Sequence, residues 1–550
     1  MSDAIGTSGL NAVVPRAGPT AAPGRPKLVR TVGSGRRYSM VVVLAATIWC
    51  LWDAGVGRRR VTNTSGFGLI GRFFSAALHP RIDSGYVTET IRSAAVTVSY
   101  AAVASFLSVV IGLLGAALLS ERMWDGHLAS NGRRRATWAR VLREPLRLML
   151  TIPRGVHEAV WALLLVNVLG RDPLVAVLAI GIPFGATTAK VYAELIDESA
   201  RGPHAVLRAS GGSRLGSLLY GVVPTVSRDF IAYGFYRFEC AIRSAVILGM
   251  IGAGGLGFQL GISFQGLEYR EMWTSIYAII ALGVAAEWWS AALRSNAGAK
   301  AMRRSVTAGS VVLAASWSYL HLHPWNLWSP RTRRLAYRLF LDMTPPRLPV
   351  QGFRGLLLAT RESLQMTFLA IVIGTLLALP LAYAGARSGR SVARHAAVRL
   401  VALAVRSIPP TVWALLVLFV ILPGVLPGAL ALGIYTAGVL ARLFGDVLES
   451  STTGARTLLH SAGAKPMAVA LYSTIPEVAP AWTSLSLYRW EVAAREVVVV
   501  GVVGAGGLGR LLSAQVNAFS FAAMTTTVGS MIVLTFLVDR VSLLARRSLR

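Results

Sequence analysis

The sequence predicts an all-α, polytopic membrane protein with two parallel six-helix repeats, about 12 transmembrane helices in total. Three observations support this fold class. Hydrophobic residues make up 54% of the 550 residues and charged residues only 15%, whereas soluble domains carry about 25% charged residues. Apolar runs of about 20 residues, enough for a helix to cross the hydrocarbon core, recur along the whole chain. In addition, the second half of the chain repeats the first.

Basic residues outnumber acidic residues by 55 to 25, which gives a formal net charge of +30. They form short clusters between apolar spans, a pattern that indicates loops beside anionic lipid headgroups and disfavours nucleic-acid binding. Cys50 and Cys240 lie within apolar segments and predict neither a disulfide framework nor a zinc site. Residues 1–37 are rich in Pro, Gly and Ala and show no signal peptide, so we expect a cytoplasmic tail there.

The internal repeat has a constant offset. Residues 252–257, Gly-Ala-Gly-Gly-Leu-Gly, recur letter for letter as residues 504–509, which lie 252 positions later. At the same offset, residues 236–243 match residues 488–495 in one Tyr, two Arg, one Glu and one Ala. The register is kept over roughly 100 positions, which indicates a duplicated chain.

Each half is expected to contain six apolar spans. Because six is an even number, both halves then have the same orientation in the membrane, and the repeat is parallel. The expected transmembrane domains are residues 38–304 and 305–550. The spans centre on residues 38–53, 91–119, 156–170, 173–194, 229–251 and 271–293 in the first half, and on 305–321, 363–385, 408–423, 426–444, 478–503 and 519–541 in the second.

Short basic loops predict the orientation of the spans. Arginine clusters follow the second, fourth, sixth and eighth spans, and arginines end the chain. All of these clusters lie on one side if both termini are cytoplasmic, so we expect a multi-pass protein of the cell membrane in that orientation. Arg58, Arg59 and Arg60 contradict the pattern, but they begin a long loop, where the rule is weaker.

Two polar hairpins follow the fourth and tenth spans, at residues 202–224 and 454–476. Each is expected to form a short amphipathic helix, a glycine turn and a second helix, with a proline at the start of the next span. One such helix could lie at the membrane interface, but two copies on the same face favour docking into a groove of a partner. The candidate docking residues are Gly202, Leu207, Gly211, Pro224, Gly454, Leu459, Gly463 and Pro476.

The hairpins carry a family resemblance. The interval of 13 residues from Gly211 to Pro224 (224 − 211) resembles the coupling loop of type I ABC importer permeases. Together with residues 406–416 and 487–491, it makes the chain look like two phosphonate-import permeases joined in tandem. The resemblance implies a MetI-like fold in each half, hairpins docked on two ATP-binding subunits, a solute-binding protein outside, and a phosphonate or related phosphorus oxyanion as substrate.

The resemblance is incomplete at two places. The glutamate of the family's coupling loop would fall at Ala205 and Thr457, so neither hairpin can form that ion pair with an ATP-binding subunit. His157 and Glu158 stand where the second half has Pro409 and Pro410, and we therefore expect the two halves to differ in function there.

Charged residues occur inside the fifth and eleventh spans. A charge at mid-bilayer costs about 2.5–3.5 kcal/mol on insertion scales, so these side chains should face the bundle interior and be paired. Two interpretations coexist: an i,i+4 Glu–Arg pair that fixes helix register, and arginines that offer a passing anion transient hydrogen bonds along the translocation path. The residues are Arg237, Glu239, Arg243, Arg489, Glu491 and Arg495.

The repeated glycine segment formally matches the dinucleotide-binding fingerprint. That function is excluded because the segment follows a membrane span, and no acidic residue occurs between Gly509 and Asp539. The remaining interpretations are a tight turn after the fifth span and a flexible element at the outer gate. The glycines concerned are Gly252, Gly254, Gly255, Gly257, Gly504, Gly506, Gly507 and Gly509.

The sequence contains no Walker A motif and no cluster of metal ligands, so we expect no enzymatic activity and no bound cofactor, with ATP and Mg²⁺ on a partner subunit. The expected function is the permease subunit of an ATP-driven importer that works by alternating access. The alternative is a twelve-helix secondary transporter driven by an ion gradient, which has no need of paired hairpins. A membrane scaffold would leave the charges within the spans unexplained.

Overall fold

The computed structural model describes most of the chain beyond the N-terminal segment. Of the expected tail at 1–37, residues 1–33 lie outside the described residues. The structure describes residues 34–58, 60–121, 145, 149–150, 152–200, 202–294, 298–385, 392–451 and 454–548.

The described residues are helical apart from turns and an isolated bridge between Thr62 and Ile421, as expected for an all-α fold. The helices of the first half are α1 (Ser34–Asp53), α2 (Gly66–Ala76), α3 (Ser84–Leu119), α4 (Glu158–Leu169), α5 (Leu174–Glu198), α6 (Gly202–Ala209), α7 (Arg214–Gly221), α8 (Val223–Leu248), α9 (Gly255–Gln265) and α10 (Tyr269–Arg294).

The helices of the second half follow in the same order. They are α11 (Ala299–Tyr319), α12 (Pro330–Met343), α13 (Gly352–Gly385), α14 (Val392–Ser407), α15 (Pro410–Val420), α16 (Val425–Ser450), α17 (Gly454–Ser461), α18 (Pro466–Val469), α19 (Ile475–Val500), α20 (Gly507–Asn517) and α21 (Phe521–Ser548).

The sequence repeat reappears as a structural repeat. Helices α8 and α19 have the same bounds once shifted by 252 residues, and so do α9 and α20. A π-helical segment follows α8 (Gly249–Ala253) and α19 (Gly501–Ala505). Helix α18 is shorter than its counterpart α7, because the chain passes into a further π-helical segment, Ala470–Thr474. The two parallel repeats predicted from the sequence are therefore present in the described residues.

Length and composition qualify six helices of the described chain as membrane spans, and nine spans if each of three bent helix pairs counts as one. The bent pairs are α8 with α9, α14 with α15, and the segment 467–505 with α20, at angles of 54°, 86° and 63°. Two shorter apolar helices cover Met40–Asp53 and Glu158–Leu169. Every apolar segment predicted as a span contains a helix in the structure.

Small residues let the central helices of each half approach closely. A Cβ atom added to Gly181 or Gly185 would lie 2.6 Å from the side chain of Leu107 or Ile111, which places α5 directly against α3. In the second half, a Cβ atom added to Gly433 of α16 would lie 2.9 Å from the Cγ2 atom of Ile373 in α13. Because lipid tails are as apolar as leucine, such close van der Waals contact is what holds these helices together.

The two halves exchange their first helices. Helix α1 packs against α13 of the second half, and α11 packs against α3 of the first. At the end of α1, the Asp53 carboxylate forms an ion pair with Arg361 and accepts a hydrogen bond from Gln365 Nε2 at 2.9 Å. These contacts tie the start of one half to the core of the other.

Replacing Asp53 with Ala removes the acceptor shared by two side chains of α13. We expect Asp53→Ala to lower the free energy of unfolding in detergent by about 2 kcal/mol, since hydrogen bonds to a charged group are lost. The control is Glu89→Ala, because Glu89 forms only an exposed pair with Arg92 at 3.9 Å, worth about 0–1 kcal/mol. Thermal unfolding measures both, and equal stability of the two variants would contradict this role of Asp53.

Candidate functional site

Both polar hairpins have the predicted local structure. In the first, α6 ends before Gly211, whose φ of +83° reverses the chain, and α7 follows. Ser213 caps α7 by accepting a hydrogen bond from the Gly216 amide at 3.1 Å, and Pro224 lies in the first turn of α8. In the second hairpin, Gly463 has a φ of +75°. A left-handed backbone is favourable only for glycine, which explains the residue type at both turns.

The side chains exposed on the hairpins include residues that sequence analysis did not single out. Leu207 points into its own hairpin, where its Cδ1 atom would lie 3.1 Å from a Cβ atom added to Gly221. The exposed apolar side chains form matched pairs at the offset of 252: Val206 with Leu458, at 64% and 73% exposure, Tyr220 with Tyr472, at 80% each, Leu215 with Met467, and Leu219 with Leu471. Sequence analysis missed these residues, although their common offset of 252 could have revealed them.

Arg237 and Arg489 occupy matching positions and are both buried. The Arg237 guanidinium carbon lies 3.8 Å from the centroid of the Phe184 ring, a cation–π contact. Arg489 forms an ion pair with Glu496 at 3.2 Å. Among the described residues, the Nε atom of each arginine has no hydrogen-bond partner. Both guanidinium groups therefore keep donor capacity within the bundle.

Glu239 forms the predicted pair with Arg243, with 2.9 Å between Oε1 and Nη2. The pair also reaches the second half, because Arg406 of α14 approaches Glu239 at 3.8 Å. Arg243 donates a hydrogen bond to the hydroxyl of Tyr435, in α16, at 3.3 Å. The carboxylate of Glu239 is thus neutralised by arginines from both halves of the chain.

The matching glutamate of α19 is paired differently. Glu491 does not pair with Arg495; it forms an ion pair with Arg546, in the last turn of α21, and accepts a hydrogen bond from Ser542 at 2.6 Å. Arg495 instead donates to the backbone carbonyl of Arg154 in the first half, at 3.2 Å. The i,i+4 spacing allows the predicted pair, but α21 brings a competing arginine next to Glu491.

Tyr236 and Tyr488 lie at the middle of α8 and α19. They are 39% and 46% exposed, although each interacts electrostatically with residues of the other half of the chain. Because both side chains interact with the other half and remain accessible, they are candidates to line a space between the halves. This space is the candidate translocation path, and the guanidinium carbon of Arg489 lies 5.6 Å from the ring of Tyr435 beside it.

The glycine segments form tight, anchored turns. The helix breaks at Gly252, Gly254 and Gly255, because their φ values are positive, from +74° to +115°. The corresponding glycines of the second half also have positive φ values. A Cβ atom on Gly257 would overlap the carbonyl oxygen of Val246, and one on Gly509 that of Val498. The backbone geometry accords with the tight-turn interpretation.

Each turn is also hydrogen-bonded to the long helix of its own half. The Leu256 amide donates to Thr97 Oγ1 at 3.0 Å, and the Leu508 amide donates to Ser363 Oγ at 2.9 Å. In the second half, the Gly507 amide donates in addition to Glu362 Oε2, at 2.9 Å. Among the described residues, no group of three or more His, Cys, Asp or Glu could hold a metal ion.

The chain matches the family described as binding-protein-dependent transport system inner membrane component over residues 135–295 and 370–550. The two matches together cover more than half of the chain, one in each half, so the chain belongs to this family of membrane permeases. The expected tandem of two permease units is confirmed, and so is the expectation of a transport subunit that is not an enzyme.

The chain is similar to the phosphate-import permease protein PhnE of Mycolicibacterium smegmatis, at 28% identity over 455 residues, or 80% of this chain and 84% of that protein. It is also similar to the phosphite transport system permease protein PtxC of Stutzerimonas stutzeri, at 28% identity over 200 residues, 36% of this chain and 72% of that protein. An inward facing structure of the MetNI methionine ABC transporter matches at 22% identity with a TM-score of 0.33, over 36% of this chain and 96% of that one.

Substituting the crowded glycines tests the tight turns. We expect Gly257→Ala or Gly509→Ala to lower the free energy of unfolding by about 2–3 kcal/mol, because the added methyl group meets a backbone carbonyl that cannot move aside. Gly261→Ala is the control, since its Cβ atom would have only Met250 Cα nearby, at 4.0 Å. The measurement is thermal stability of the purified protein; variants as stable as the control would rule out close packing at these turns.

Proposed function

We propose that this chain is the permease of an ATP-driven importer for phosphonate or a closely related phosphorus oxyanion, and that it works by alternating access. Two ATP-binding subunits, which carry the ATP and Mg²⁺, dock on the hairpin side, and a solute-binding protein delivers the substrate from the opposite side. Both termini are cytoplasmic in this arrangement. The observation that carries the proposal is the pair of matched hairpins, each with the same exposed apolar positions.

The exposed apolar side chains supply the docking energy that the missing glutamate would provide in related permeases. Ala205 and Thr457 are exposed and uncharged, and an exposed ion pair is worth only about 0–1 kcal/mol. Burial of one Val or Leu side chain stabilises a complex by about 1.5–3 kcal/mol. Val206 and Tyr220 on one hairpin, and Leu458 and Tyr472 on the other, therefore suffice for docking by shape and apolar contact.

The parallel repeat specifies the symmetry of the partner. Two halves with the same orientation place the two hairpins on one side of the bundle, related by a pseudo-twofold axis. A symmetric dimer presents the same surface twice, so a homodimer of ATP-binding subunits could engage both hairpins at once. Closure of such a dimer would move both hairpins together and tilt the halves against each other.

The substrate class is supported by the arginines beside the candidate translocation path and by the relatives. Arg237 and Arg489 each retain an unpaired Nε donor, and a guanidinium group matches the geometry of phosphoryl oxygens. The relatives described above carry the names of phosphate and phosphite permeases. Because both arginines already have partial contacts, they would bind a passing anion weakly enough to release it.

Charged substitutions on the exposed hairpin face test the docking. We expect the double variant Val206→Asp/Leu458→Asp to lose copurification with the ATP-binding subunit and to import at least about tenfold more slowly, since the loss of two buried apolar contacts exceeds 1.4 kcal/mol. The control variant, Ala205→Ser/Thr457→Ser, changes exposed residues of the same helices without introducing charge. Wild-type copurification of the aspartate variant would refute docking through these residues.

Neutralising one arginine tests the anion path. We expect Arg489→Gln to slow uptake of labelled phosphonate by about tenfold, because a hydrogen bond to a charged group is worth about 1.5–3 kcal/mol, while membrane abundance falls less. Arg489→Lys keeps the charge and should retain intermediate uptake. Labelled phosphite and phosphate in parallel assays identify the preferred substrate. If uptake and abundance fell together in both variants, Arg489 would be structural only.

A further inference from the structure

A series of ion pairs connects the two halves near the hairpins. The carboxylate of Glu287, in α10 of the first half, pairs with both Arg406 of α14 and Arg442 of α16, which belong to the second half. Two further ion pairs extend the series: Arg442 pairs with Asp446 at 3.9 Å, and Asp446 pairs with Arg399 at 3.3 Å. The side chains of Glu287 and Arg406 are only 16% and 10% exposed, so these pairs are shielded from water and salt.

The ion pairs lie on the side of the bundle that carries the hairpins. Arg442 and Asp446 occupy the last turns of α16, which ends at Ser450, and the second hairpin begins at Gly454. Glu287 lies in the last third of α10, which runs toward the same side. Any movement of the second hairpin is therefore transmitted through α16 to residues that hold the first half.

The internal repeat retains the sign of the charge at each of these positions. At the offset of 252, Glu287 corresponds to Asp539, Arg406 to Arg154, Arg442 to Lys190, and Asp446 to Glu194. Other charges are kept at some positions, such as Arg237 and Arg489, and lost at others: Arg171, Glu198 and Glu271 correspond to Pro423, Ser450 and Ala523. The charge pattern needed for a second, equivalent network is thus present in the chain.

The second network is not closed in this structure. Asp539 lies near enough to Arg154 and Lys190 for an electrostatic interaction, but no residue that the structure describes forms an ion pair with it within 4.0 Å. Its counterpart Glu287 pairs directly with two arginines. Lys190 pairs with Glu194 of its own helix, at 3.6 Å. Contact between the halves at this place includes the hydrogen bond from Arg495 to the carbonyl of Arg154. One interface is therefore bridged by a carboxylate in direct contact with two arginines, and at the other no described residue lies within 4.0 Å of the matching carboxylate as an ion-pair partner.

We propose that Glu287, with Arg406 and Arg442, forms an ion-pair lock that holds the two halves together on the hairpin side and that must open in each transport cycle. This inference rests on the proposed function, and it assigns the regulation of transport to these three residues. Removal of one partner from a buried ion pair leaves an uncompensated charge, so the lock opens only when the hairpin pulls α16 away. The lock thus keeps ATP hydrolysis low until substrate delivery and hairpin movement coincide.

The lock is tested in vesicles that contain the chain with its ATP-binding subunits and its solute-binding protein. Glu287→Gln should raise ATP hydrolysis without substrate by at least about fivefold, the lower bound typical of allosteric coupling, and should reduce the phosphonate imported per ATP. Asp539→Asn is the matched control, because Asp539 forms no ion pair within 4.0 Å with a described residue, and should stay within about twofold of wild type. Glu287→Asp keeps the carboxylate and should restore low hydrolysis. Equal hydrolysis by Glu287→Gln and wild type would overturn the lock.

Cross-linking gives a second readout, independent of ATP hydrolysis. With Cys50 and Cys240 replaced by Ser, the variant Glu287→Cys/Arg442→Cys is joined by a reducible bifunctional thiol reagent. We expect uptake to stop on cross-linking and to return on reduction, since α10 and α16 can then no longer separate. Unchanged uptake by the cross-linked protein would also overturn the lock. If the wild-type vesicles import solute without ATP, the proposed function fails, yet the cross-link still reports whether the halves must separate.

Discussion

A charge buried within a membrane protein needs a partner, and in this chain the partner is repeatedly supplied by the opposite half. Glu239 is neutralised by Arg243 of its own helix and approached by Arg406 of the second half, while Glu287 is held entirely by arginines of the second half. Since an unpaired charge is expensive in a low-dielectric interior, the contact between the halves is a requirement of the charges as well as of shape. Relative movement of the halves must exchange these partners.

Within each half, the packing has the opposite character. Helices α3 and α5, like α13 and α16, approach through glycine and other small residues along their length. The glycine turns after α8 and α19 press backbone against backbone and are hydrogen-bonded to the long helix of the same half. Such close contacts deform little, so each half has the properties of a rigid body, and the polar interface between halves is the natural site of rearrangement.

Sequence patterns predicted the features that depend on neighbours along the chain. The apolar segments, the hairpins with their glycine turns and the Glu239–Arg243 pair all follow from short-range periodicity. The partner of Glu491 could not be predicted in this way, because Arg546 lies 55 residues later and reaches it only through the packing of α21 on α19. The exposed hairpin face was missed because an amphipathic stretch does not reveal which side its own second helix covers.

The amino-acid sequence by itself determined the membrane character, the duplication, the parallel orientation of the halves and the positions of the charges, since each of these is written in composition, period or offset. Only the tertiary structure decided how those charges are shared, because pairing depends on which helices touch across the interface. Two copies of one charge pattern consequently form different contacts: Glu287 bridges two arginines, while Asp539 forms no ion pair within 4.0 Å with a described residue. The shared charge pattern does not encode that difference, which depends on how the neighbouring helices pack.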